Sequence, residues 1–251
     1  MSQRKSGSFS HVGNFTGYMA VALRCLDELP PDRRILDLPA GNGLLADALR
    51  QAGHDVVCAD INRERPDYRY VDMAQPLPFA DAEFDVVLCL EGLEHLIDPV
   101  QLVRELARVA RPGGTVIVST PNVMNFHSRL QFLFTGVPYQ FNPAAVPAIS
   151  TGDAADRGHI FPLSYFQLRY LFEQYGVLTR RVLGDRWKRK ALLPLYALLL
   201  PVAWAWSWLL FSRQGDQREA ARNKTLLADA FSAPLLFSRS LVLVLEKRQQ
   251  Q

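Results

Sequence analysis

The segment "ILDLPAGNG", residues 35 to 43, constrains the fold of this chain more than any other feature. An apolar run ends in an acidic residue, turns through Pro39, Gly41 and Gly43, and leads into the helical pattern "LLADALRQAG". Strand, glycine loop and helix in this order are typical of sites for dinucleotides, phosphates or adenosyl groups, because glycine lets the backbone approach a ligand closely. The sequence therefore predicts a ligand site at this loop.

Strand and helix patterns alternate along the rest of the chain. Strands are predicted at 33–38, 55–60, 84–90, 115–122, 177–184 and 240–247, and helices at 14–29, 43–52, 99–110 and 163–175. Such alternation predicts parallel strands joined by right-handed crossovers, which is an α/β fold. With 251 residues, of which 49% are hydrophobic, we expect a single domain over 1–251 with a sizeable core.

Cysteine usage and the N-terminal sequence point to a reducing compartment. The three cysteines, Cys25, Cys58 and Cys89, are widely spaced and form no C-x-x-C motif, so neither a zinc site nor a disulfide framework is indicated. The segment "MSQRKSGSFSHVGNF" has no apolar signal core, which argues against secretion. We therefore expect a cytoplasmic location.

Two kinds of cofactor compete for the glycine loop. "GNGLLA" fits the loose dinucleotide pattern, with Ala46 in the third glycine position, but a pattern this short arises by chance. S-adenosylmethionine is favoured by three acids: Asp37 can orient the ligand's ammonium group, Asp60 can accept from both ribose hydroxyls, and Asp72 can accept from the adenine amino group. Asp60 alone does not discriminate, because both cofactors carry a ribose.

The ordered set "ILDLPAGNG … CADIN … VDMAQPLPFADAEFDVVLCLEGLEHLIDP … LARVARPGGTVIVSTPN" resembles the class I S-adenosylmethionine-dependent methyltransferases over residues 33–122. The resemblance implies a doubly wound, mostly parallel, seven-stranded Rossmann-like sheet whose last strand is antiparallel. It also implies S-adenosylmethionine as cofactor, with contacts at Asp37, Pro39, Gly41, Asn42, Gly43, Asp60, Ile61, Asp72, Met73 and Leu90. The family usually has glycine where Pro39 stands, so this loop must turn without one N–H donor.

Candidate catalytic residues follow the predicted strand 84–90 and a long loop. "EGLEHL" places Glu91 and His95 at the mouth of the expected cleft, and His159 lies near the end of the loop 136–162, which we interpret as a substrate loop or lid. Any of these three can serve as the base that removes a proton from an acceptor hydroxyl, and the sequence does not select one. We expect no metal here, because E-x-x-E-H lacks the first histidine of the H-x-x-E-H motif.

An apolar insertion is expected at 187–237. Its segment 191–211 has no charge and is long enough to span a bilayer. Spanning is disfavoured because the strand at 240–247 must return to the sheet, and because Pro194 and Pro201 are expected to break a helix into pieces. We therefore predict a broken, interfacial segment on the cytoplasmic face; a soluble insertion packed on the domain or at a dimer interface is the alternative.

Charge supports membrane contact. Residues 180–224 hold ten Lys and Arg against three Asp and Glu, a surplus of seven in a chain whose net charge is +3. A local basic surplus beside an apolar segment favours an anionic membrane surface as partner, and no nucleic acid polymer is expected. The chain is therefore predicted to bind the inner membrane peripherally.

A second, looser resemblance covers residues 119–251. "STPNVMNFHSRLQFLFTG", "HIFPLSYFQLRYLFEQYG" and the apolar insertion are similar to methyltransferases of bacterial cell-surface polysaccharides. It implies O-methylation of a sugar on a lipid-linked or lipopolysaccharide (O-antigen) glycan, with envelope-biosynthesis proteins as further partners. A lipid or quinone acceptor is the alternative within the enzyme class, and a non-catalytic membrane scaffold or nucleotide-binding regulator is the alternative outside it.

Overall fold

The computed structural model describes residues 13–63, 65–141, 158–187, 189–212 and 217–249. Within these ranges a seven-stranded sheet forms the centre of the protein, in the order β3-β2-β1-β4-β5-β7-β6. The strands are β1 (Arg34–Asp37), β2 (Asp55–Asp60), β3 (Arg69–Tyr70), β4 (Phe84–Leu90), β5 (Ala110–Pro121), β6 (Val177–Gly184) and β7 (Ser240–Lys247). The predicted doubly wound α/β class and seven-stranded sheet are confirmed.

The strand directions place a crevice at the centre of the sheet. β1 pairs in parallel with both β2 and β4, whereas β7 is antiparallel to both β5 and β6. The last strand is therefore antiparallel, as predicted. The chain runs outward from β1 to β3 and then returns to β4, so the strand order reverses between β1 and β4. In open α/β sheets, ligands bind beyond the carboxyl ends of the strands at such a reversal.

The helices of the described residues are α1 (Gly17–Leu26), α2 (Leu44–Gln51), α3 (Pro99–Val109), α4 (Phe126–Thr135), α5 (Tyr165–Gln174), α6 (Leu193–Ser212), α7 (Gln217–Ala230) and α8 (Ala233–Phe237). Some of them cover the two faces of the sheet. Leu26 of α1 and Leu49 of α2 are fully buried on one face, and Leu106 of α3 and Phe172 of α5 on the other. Two apolar layers therefore hold the sheet and fix its carboxyl ends.

Several elements were not predicted. β3 has two residues and α8 has five, too few to show a hydrophobic period, and α4 and α7 were also missed. β5 begins at Ala110, five residues before its predicted start, because Ala110 pairs with Phe84 ahead of an irregularity in the β4–β5 ladder. The cysteines are buried and free, in agreement with the expectation of no disulfide framework.

The prediction of a broken apolar segment was wrong. α6 is one helix of 20 residues with Pro201 in its interior. Pro194 lies in the first helical turn, where proline's missing N–H has no intrahelical partner to lose. Pro201 removes one i→i−4 hydrogen bond, but the leucine, alanine and tryptophan residues around it sustain the helix on both sides.

Candidate active site

The loop after β1 is packed tightly against the end of β4. The Leu38–Pro39 peptide bond is cis, and a side-chain carbon at Gly92 would lie 2.8 Å from the Pro39 ring. Only a residue without a side chain fits at position 92, because Cβ atoms do not tolerate contacts this short. The proline that replaces the usual glycine is thus accommodated by a glycine on the neighbouring strand end.

Asp60, the last residue of β2, holds the glycine loop in place. Its Oδ2 accepts a 2.8 Å hydrogen bond from the N–H of Gly41, and its Oδ1 accepts one of 2.9 Å from the N–H of Asn62. Each carboxylate oxygen has two lone pairs, so both oxygens can accept a further hydrogen bond. Burial raises the pKa of Asp60, while hydrogen bonds from the backbone N–H groups of Asn62, Gly41 and Ile61 and from the Asn62 side chain oppose the rise.

A cavity of about 820 Å³ lies above the carboxyl ends of the strands. Its lining includes every predicted site residue except Gly43: Asp37, Pro39, Gly41, Asn42, Asp60, Ile61, Asp72, Met73, Leu90, Glu91, His95 and His159. A volume of this size accommodates a cofactor-sized ligand. The predicted residues are thus brought together in one place, although their contacts with a cofactor stay predictions.

Gly43 lies behind the cavity wall. It starts α2 with φ of 75°, and a Cβ there would lie 2.5 Å from the guanidinium carbon of Arg65 and 2.6 Å from the Tyr68 hydroxyl. Arg65 is held against the loop by two 2.7 Å hydrogen bonds to Asp47. Glycine is therefore favoured at position 43 by the left-handed backbone, and a side chain there would also have to displace Arg65 and Tyr68.

Asp37 is the most unusual carboxyl group in the cavity. It is 2% exposed, and its Oδ2 has no hydrogen-bond partner within the described part of the chain. Burial, reinforced by neighbouring Asp60, raises the pKa of Asp37 to about 7. A buried carboxyl oxygen without a partner is costly, and a cationic ligand group beside it would remove that cost. This fits the ammonium group of S-adenosylmethionine.

Glu91 occupies a strained position where β4 meets the cavity. Its φ is 51°, in the left-handed region that residues other than glycine rarely adopt, and such strain clusters at functional sites. Its Oε1 accepts a 3.1 Å hydrogen bond from the Ser119 hydroxyl of β5. Burial raises the pKa of Glu91 to about 7, opposed by Arg239 and by the hydroxyls of Ser119 and Ser240. A carboxyl group with this pKa can accept a proton near neutrality.

Glu94, His95 and His159 form a cluster beside Glu91. The rings of His95 and His159 lie 5.0 Å apart, edge to face, and one possible ligand atom from each of the three residues lies within 4.8 Å of the others. Glu94 is fully buried with an unpartnered Oε1, and burial raises its pKa well above the usual value. Reasoning from local spacing could not find His159 as a neighbour of Glu94. The expectation that no metal binds stays a prediction.

The ends of the predicted loop 136–162 are tied to this cluster. His95 Nδ1 lies 2.9 Å from the carbonyl oxygen of Gly158, and His159 Nδ1 lies 3.0 Å from that of Gln140. The Glu94 carbonyl accepts the N–H groups of Ile160 and Phe161. Residues 142–157 fall outside the described ranges, so the proposed lid movement stays a prediction.

Sequence reasoning missed the side of the cavity formed by the C-terminal half. Asp185 and Arg186 follow β6, and Arg239 precedes β7; all three line the cavity. Thr16 and Tyr18, at the start of α1, line it too. The sequence signal was the position of these charged residues, since Asp185 and Arg186 come directly after one predicted strand and Arg239 directly before another. Only the pairing of β6 with β7 brings them together.

The strand order, the glycine loop and the acids at the ends of β1 and β2 define a Rossmann-like fold with a cavity at its central crevice, where an adenosyl cofactor is predicted to bind. The chain belongs to the Methyltransferase domain family, whose model matches residues 13–178. It is a class I S-adenosylmethionine-dependent methyltransferase, and the cofactor prediction is confirmed at the level of the family.

Comparisons with individual proteins agree with this assignment. The chain is 35% identical over 105 residues to the ubiquinone biosynthesis O-methyltransferase of Pseudomonas aeruginosa, covering 36% of this chain and 45% of that protein. It is 33% identical over 147 residues to the demethylmenaquinone methyltransferase of Renibacterium salmoninarum, covering 55% of this chain and 58% of that protein. The chain thus spans about half the length of these curated relatives.

A solved structure supports the fold. The structure of a SAM-dependent methyltransferase from Archaeoglobus fulgidus matches with a TM-score of 0.56 and 15% identity. The match covers 91% of this chain and 92% of that one. At this identity the similarity concerns the fold alone.

Proposed function

We propose that the chain transfers the methyl group of S-adenosylmethionine to a hydroxyl of a quinone-type lipid, at the cytoplasmic face of the inner membrane. The names of the two curated relatives support this acceptor class, because both refer to quinones. They favour the quinone alternative over the glycan acceptor that the C-terminal resemblance implies. A membrane-soluble acceptor requires an enzyme that reaches the bilayer surface.

The exposed face of α6 is the observation that carries this proposal. By length and composition alone, residues 190–212 form a helix that could cross a bilayer, the one such helix in the described ranges, and little of it is buried. Its exposed large apolar residues are Leu195, Leu198, Val202, Trp204, Trp206, Trp208, Leu209 and Leu210. Trp206 is 74% exposed. An apolar surface of this extent on a soluble protein marks an interaction site.

The opposite face of α6 is attached to the domain at both ends. Near its start, the Tyr196 ring stacks on Phe126 of α4 with centroids 4.9 Å apart. Near its end, the Phe211 ring lies 5.9 Å from that of Phe166 of α5, and its carbonyl accepts from Asn223 of α7. The helix therefore lies along the protein. Because the protein covers one side, the helix needs no polar face to rest in the plane of a bilayer.

The apolar helix begins a few residues after the cavity wall along the chain. Asp185 and Arg186 line the cavity, Trp187 pairs with Ser238 as an isolated bridge, and α6 begins at Leu193. On α4, which packs beside α6, Phe132, Leu133 and Phe134 are also exposed. We propose that these two surfaces rest on the membrane, so that a lipid acceptor enters the cavity from the bilayer side.

Within the cavity, different residues would bind the cofactor and accept the proton. Asp37 and Asp60 would hold the ammonium and ribose groups of the cofactor, which supplies an activated methyl group on a sulfonium. Glu91 would accept the proton of the acceptor hydroxyl, with Ser119 fixing the carboxylate at 3.1 Å. Orientation of the two reactants supplies much of the remaining barrier reduction.

A hydroxyl of a lipid-linked envelope glycan, such as an O-antigen precursor, is the second candidate. It is favoured by the C-terminal elements, because the family match ends at residue 178 and the elements from α6 to β7 lie beyond it. Envelope-biosynthesis proteins would then be the expected partners. Both candidates need the same membrane surface, and they differ in the acceptor.

The two acceptors are separated by a direct assay. Purified protein is given methyl-labelled S-adenosylmethionine and, in matched detergent micelles, either a hydroxylated quinone precursor or a lipid-linked oligosaccharide. Transfer to the quinone precursor with higher kcat/KM supports the proposal. Transfer to the oligosaccharide alone would replace it with the glycan candidate. An Asp60→Ala variant, impaired in cofactor binding, gives the background for both acceptors.

A further inference from the structure

The floor of the cavity is divided along the sheet. The acids predicted to hold the cofactor lie at the ends of β1 and β2 and just after β3. On the other side, over β4, β5, β7 and β6, the charged lining residues are Glu91, Arg239, Asp185 and Arg186. The side over β4, β5, β7 and β6 is therefore the part of the cavity that remains for the acceptor, and we call it the acceptor half.

Arg239 is held firmly by its backbone. Its N–H donates 2.9 Å to the carbonyl oxygen of Arg186, and its carbonyl accepts a 2.9 Å hydrogen bond from the N–H of Asn122 and one of 3.1 Å from the Gln140 side chain. These contacts tie the residue to the segments after β6, after β5 and after α4. The side chain thus starts from a fixed point at the cavity wall.

The guanidinium of Arg239 has few partners of its own. It is half-buried, and within the described residues its side chain makes one hydrogen bond, of 3.4 Å, to the Ser240 hydroxyl, and no ion pair within 4 Å. By contrast, Arg65 on the wall behind the loop is bound by both oxygens of Asp47 at 2.7 Å. A guanidinium has five N–H donors, and in the described part of the chain only one of them is used, by Ser240, so the others are available to a ligand in the cavity that Arg239 lines.

Aromatic rings stand around the same half of the cavity. Tyr18, His95 and His159 contribute to its lining. Flat rings that line the same cavity as Arg239 suit a flat acceptor that carries an oxygen, because aromatic rings stack or meet edge to face. An aromatic hydroxyl fits this arrangement better than an aliphatic one.

We propose that Arg239 binds the acceptor oxygen that becomes anionic during methyl transfer, and that it thereby selects acidic, phenol-type hydroxyls. This rests on the proposed function. In the step, the acceptor O–H proton passes to the Glu91 carboxylate, the oxygen forms a bond to the methyl carbon, and the carbon–sulfur bond breaks with its electron pair returning to sulfur. Arg239 stabilises the phenolate oxygen through charge-assisted hydrogen bonds, which favour the ionised form.

The first arm of the test is kinetic. Arg239→Gln should lower kcat/KM for a phenolic acceptor by about tenfold to 150-fold, the range for losing a hydrogen bond to a charged group, and should leave S-adenosylmethionine affinity unchanged. Arg239→Lys should recover part of the loss because it keeps the charge. Arg180→Gln is the matched control, since the Arg180 side chain on β6 is 54% exposed, pairs with Glu246 and lies outside the cavity lining. A loss as large in Arg180→Gln as in Arg239→Gln would contradict the assignment.

The second arm does not depend on turnover. A nitrophenol, whose colour reports its ionisation, is titrated with pH while bound to wild-type protein loaded with S-adenosylhomocysteine. Bound to wild type or to Arg239→Lys, the nitrophenol should ionise at a lower pH than free nitrophenol does. Bound to Arg239→Gln, it should show no such shift. If wild type methylates no phenol yet lowers the pKa of the bound nitrophenol, the quinone proposal fails and the role of Arg239 stands. If both arms are unchanged in a folded Arg239→Gln variant, the role of Arg239 is overturned.

Discussion

The N–H of Gly41 donates a 2.8 Å hydrogen bond to Oδ2 of Asp60, so the glycine loop and the acid that ends β2 form one unit. The carboxylate that is expected to receive the ribose also sets the position of the loop that passes beneath the cofactor. A change at either residue therefore alters both parts of the cofactor site.

Asp60→Ala should weaken S-adenosylmethionine binding by at least tenfold. The substitution removes two proposed hydrogen bonds to the ribose, each of about 1.5–3 kcal/mol when an acceptor is charged, and it releases the loop at Gly41. Calorimetric titration measures the effect. Asp55→Ala is the control, because Asp55 lies at the other end of β2 and pairs at the surface with Arg34. Equal affinities in folded Asp60→Ala and wild type would rule out the assignment of Asp60.

Asp37 should make the cofactor-free protein less stable as pH rises. Its pKa is about 7 when folded against 3.8 when exposed, so the folded state holds a proton that the unfolded state has lost between these values. Its contribution to stability is complete below about pH 4 and is lost as pH rises through about 7, amounting to roughly 4 kcal/mol at most. Asp37→Asn should flatten the fall in Tm over the upper part of this range, from about pH 5 to 7.

The same variant separates stability from binding. Asp37→Asn should raise the Tm of the cofactor-free protein at pH 8, because no charge is then buried, and should weaken S-adenosylmethionine binding by removing the partner of its ammonium group. An Asp37→Asn protein whose Tm depends on pH as steeply as wild type would show that another group is responsible.

Most of the fold was accessible from the sequence because its central strands are short apolar runs bounded by acids and glycines. β1, β2 and β4 are buried almost throughout, and Asp37, Asp60 and Glu91 lie at or just past their ends, so periodicity and position together predicted the cofactor acids and one residue of the acceptor half. The other charged residues of the acceptor half could not be predicted in this way. Arg239 is adjacent to Glu91 only because β7 returns antiparallel between β5 and β6.

Local rules failed where tertiary contacts decide the outcome. Pro201 was expected to end a helix, yet α6 continues through it, because helix-forming residues lie on both sides of it and Tyr196 and Phe211 hold the two ends of α6 to the domain. His159 was predicted from its position beside a loop, but its contact with His95 depends on how that loop is tied down. Neither relationship is encoded in the spacing of nearby residues.

Methyl transfer should depend on the ionisation of Glu91. If Glu91 is the base, kcat rises with pH and reaches half its maximum near pH 7, because the carboxylate form accepts the proton. Glu91→Gln should then lose about 10²–10⁴-fold in kcat while keeping cofactor affinity. Ser119→Ala should move the midpoint to higher pH, because the hydroxyl that lowers the Glu91 pKa is gone.

His95→Gln and His159→Gln complete the comparison. A loss of about 10²-fold or more in one of them, with Glu91→Gln near wild type, would transfer the base to that histidine. If all three variants stay within about threefold of wild type, too small a change for a general base, catalysis proceeds by positioning alone.

The outer face of α6 should bind vesicles. Replacing Leu198, Val202 and Trp206 with Gln should lower partitioning onto anionic vesicles by more than tenfold, because burial of each large apolar side chain contributes about 1.5–3 kcal/mol. Replacing Ile97 and Tyr170, which are also exposed but lie elsewhere, is the control. If wild type ignores vesicles and instead forms dimers that the α6 variant loses, the helix is a protein interface.

Basic residues at the start of α6 should add a salt-dependent part to this binding. Replacing Arg189 and Lys190 with Gln should weaken the free energy of binding to anionic vesicles by about 1 kcal/mol for each residue. The difference in binding between the variant and wild type should shrink at high salt, because salt screens the attraction. Single cysteines placed at residues 180 and 220 test the orientation in sealed vesicles. Labelling of both from the same side is expected, and labelling from opposite sides would show that the helix crosses the bilayer.

Which ligand binds at the glycine loop can be measured directly. Calorimetric titration of wild-type protein with S-adenosylmethionine, and separately with NAD, measures it without an acceptor. We predict one S-adenosylmethionine bound per chain, displaced by S-adenosylhomocysteine, and no heat of binding with NAD. Binding of NAD, with S-adenosylmethionine failing to bind, would contradict the assignment of this cavity.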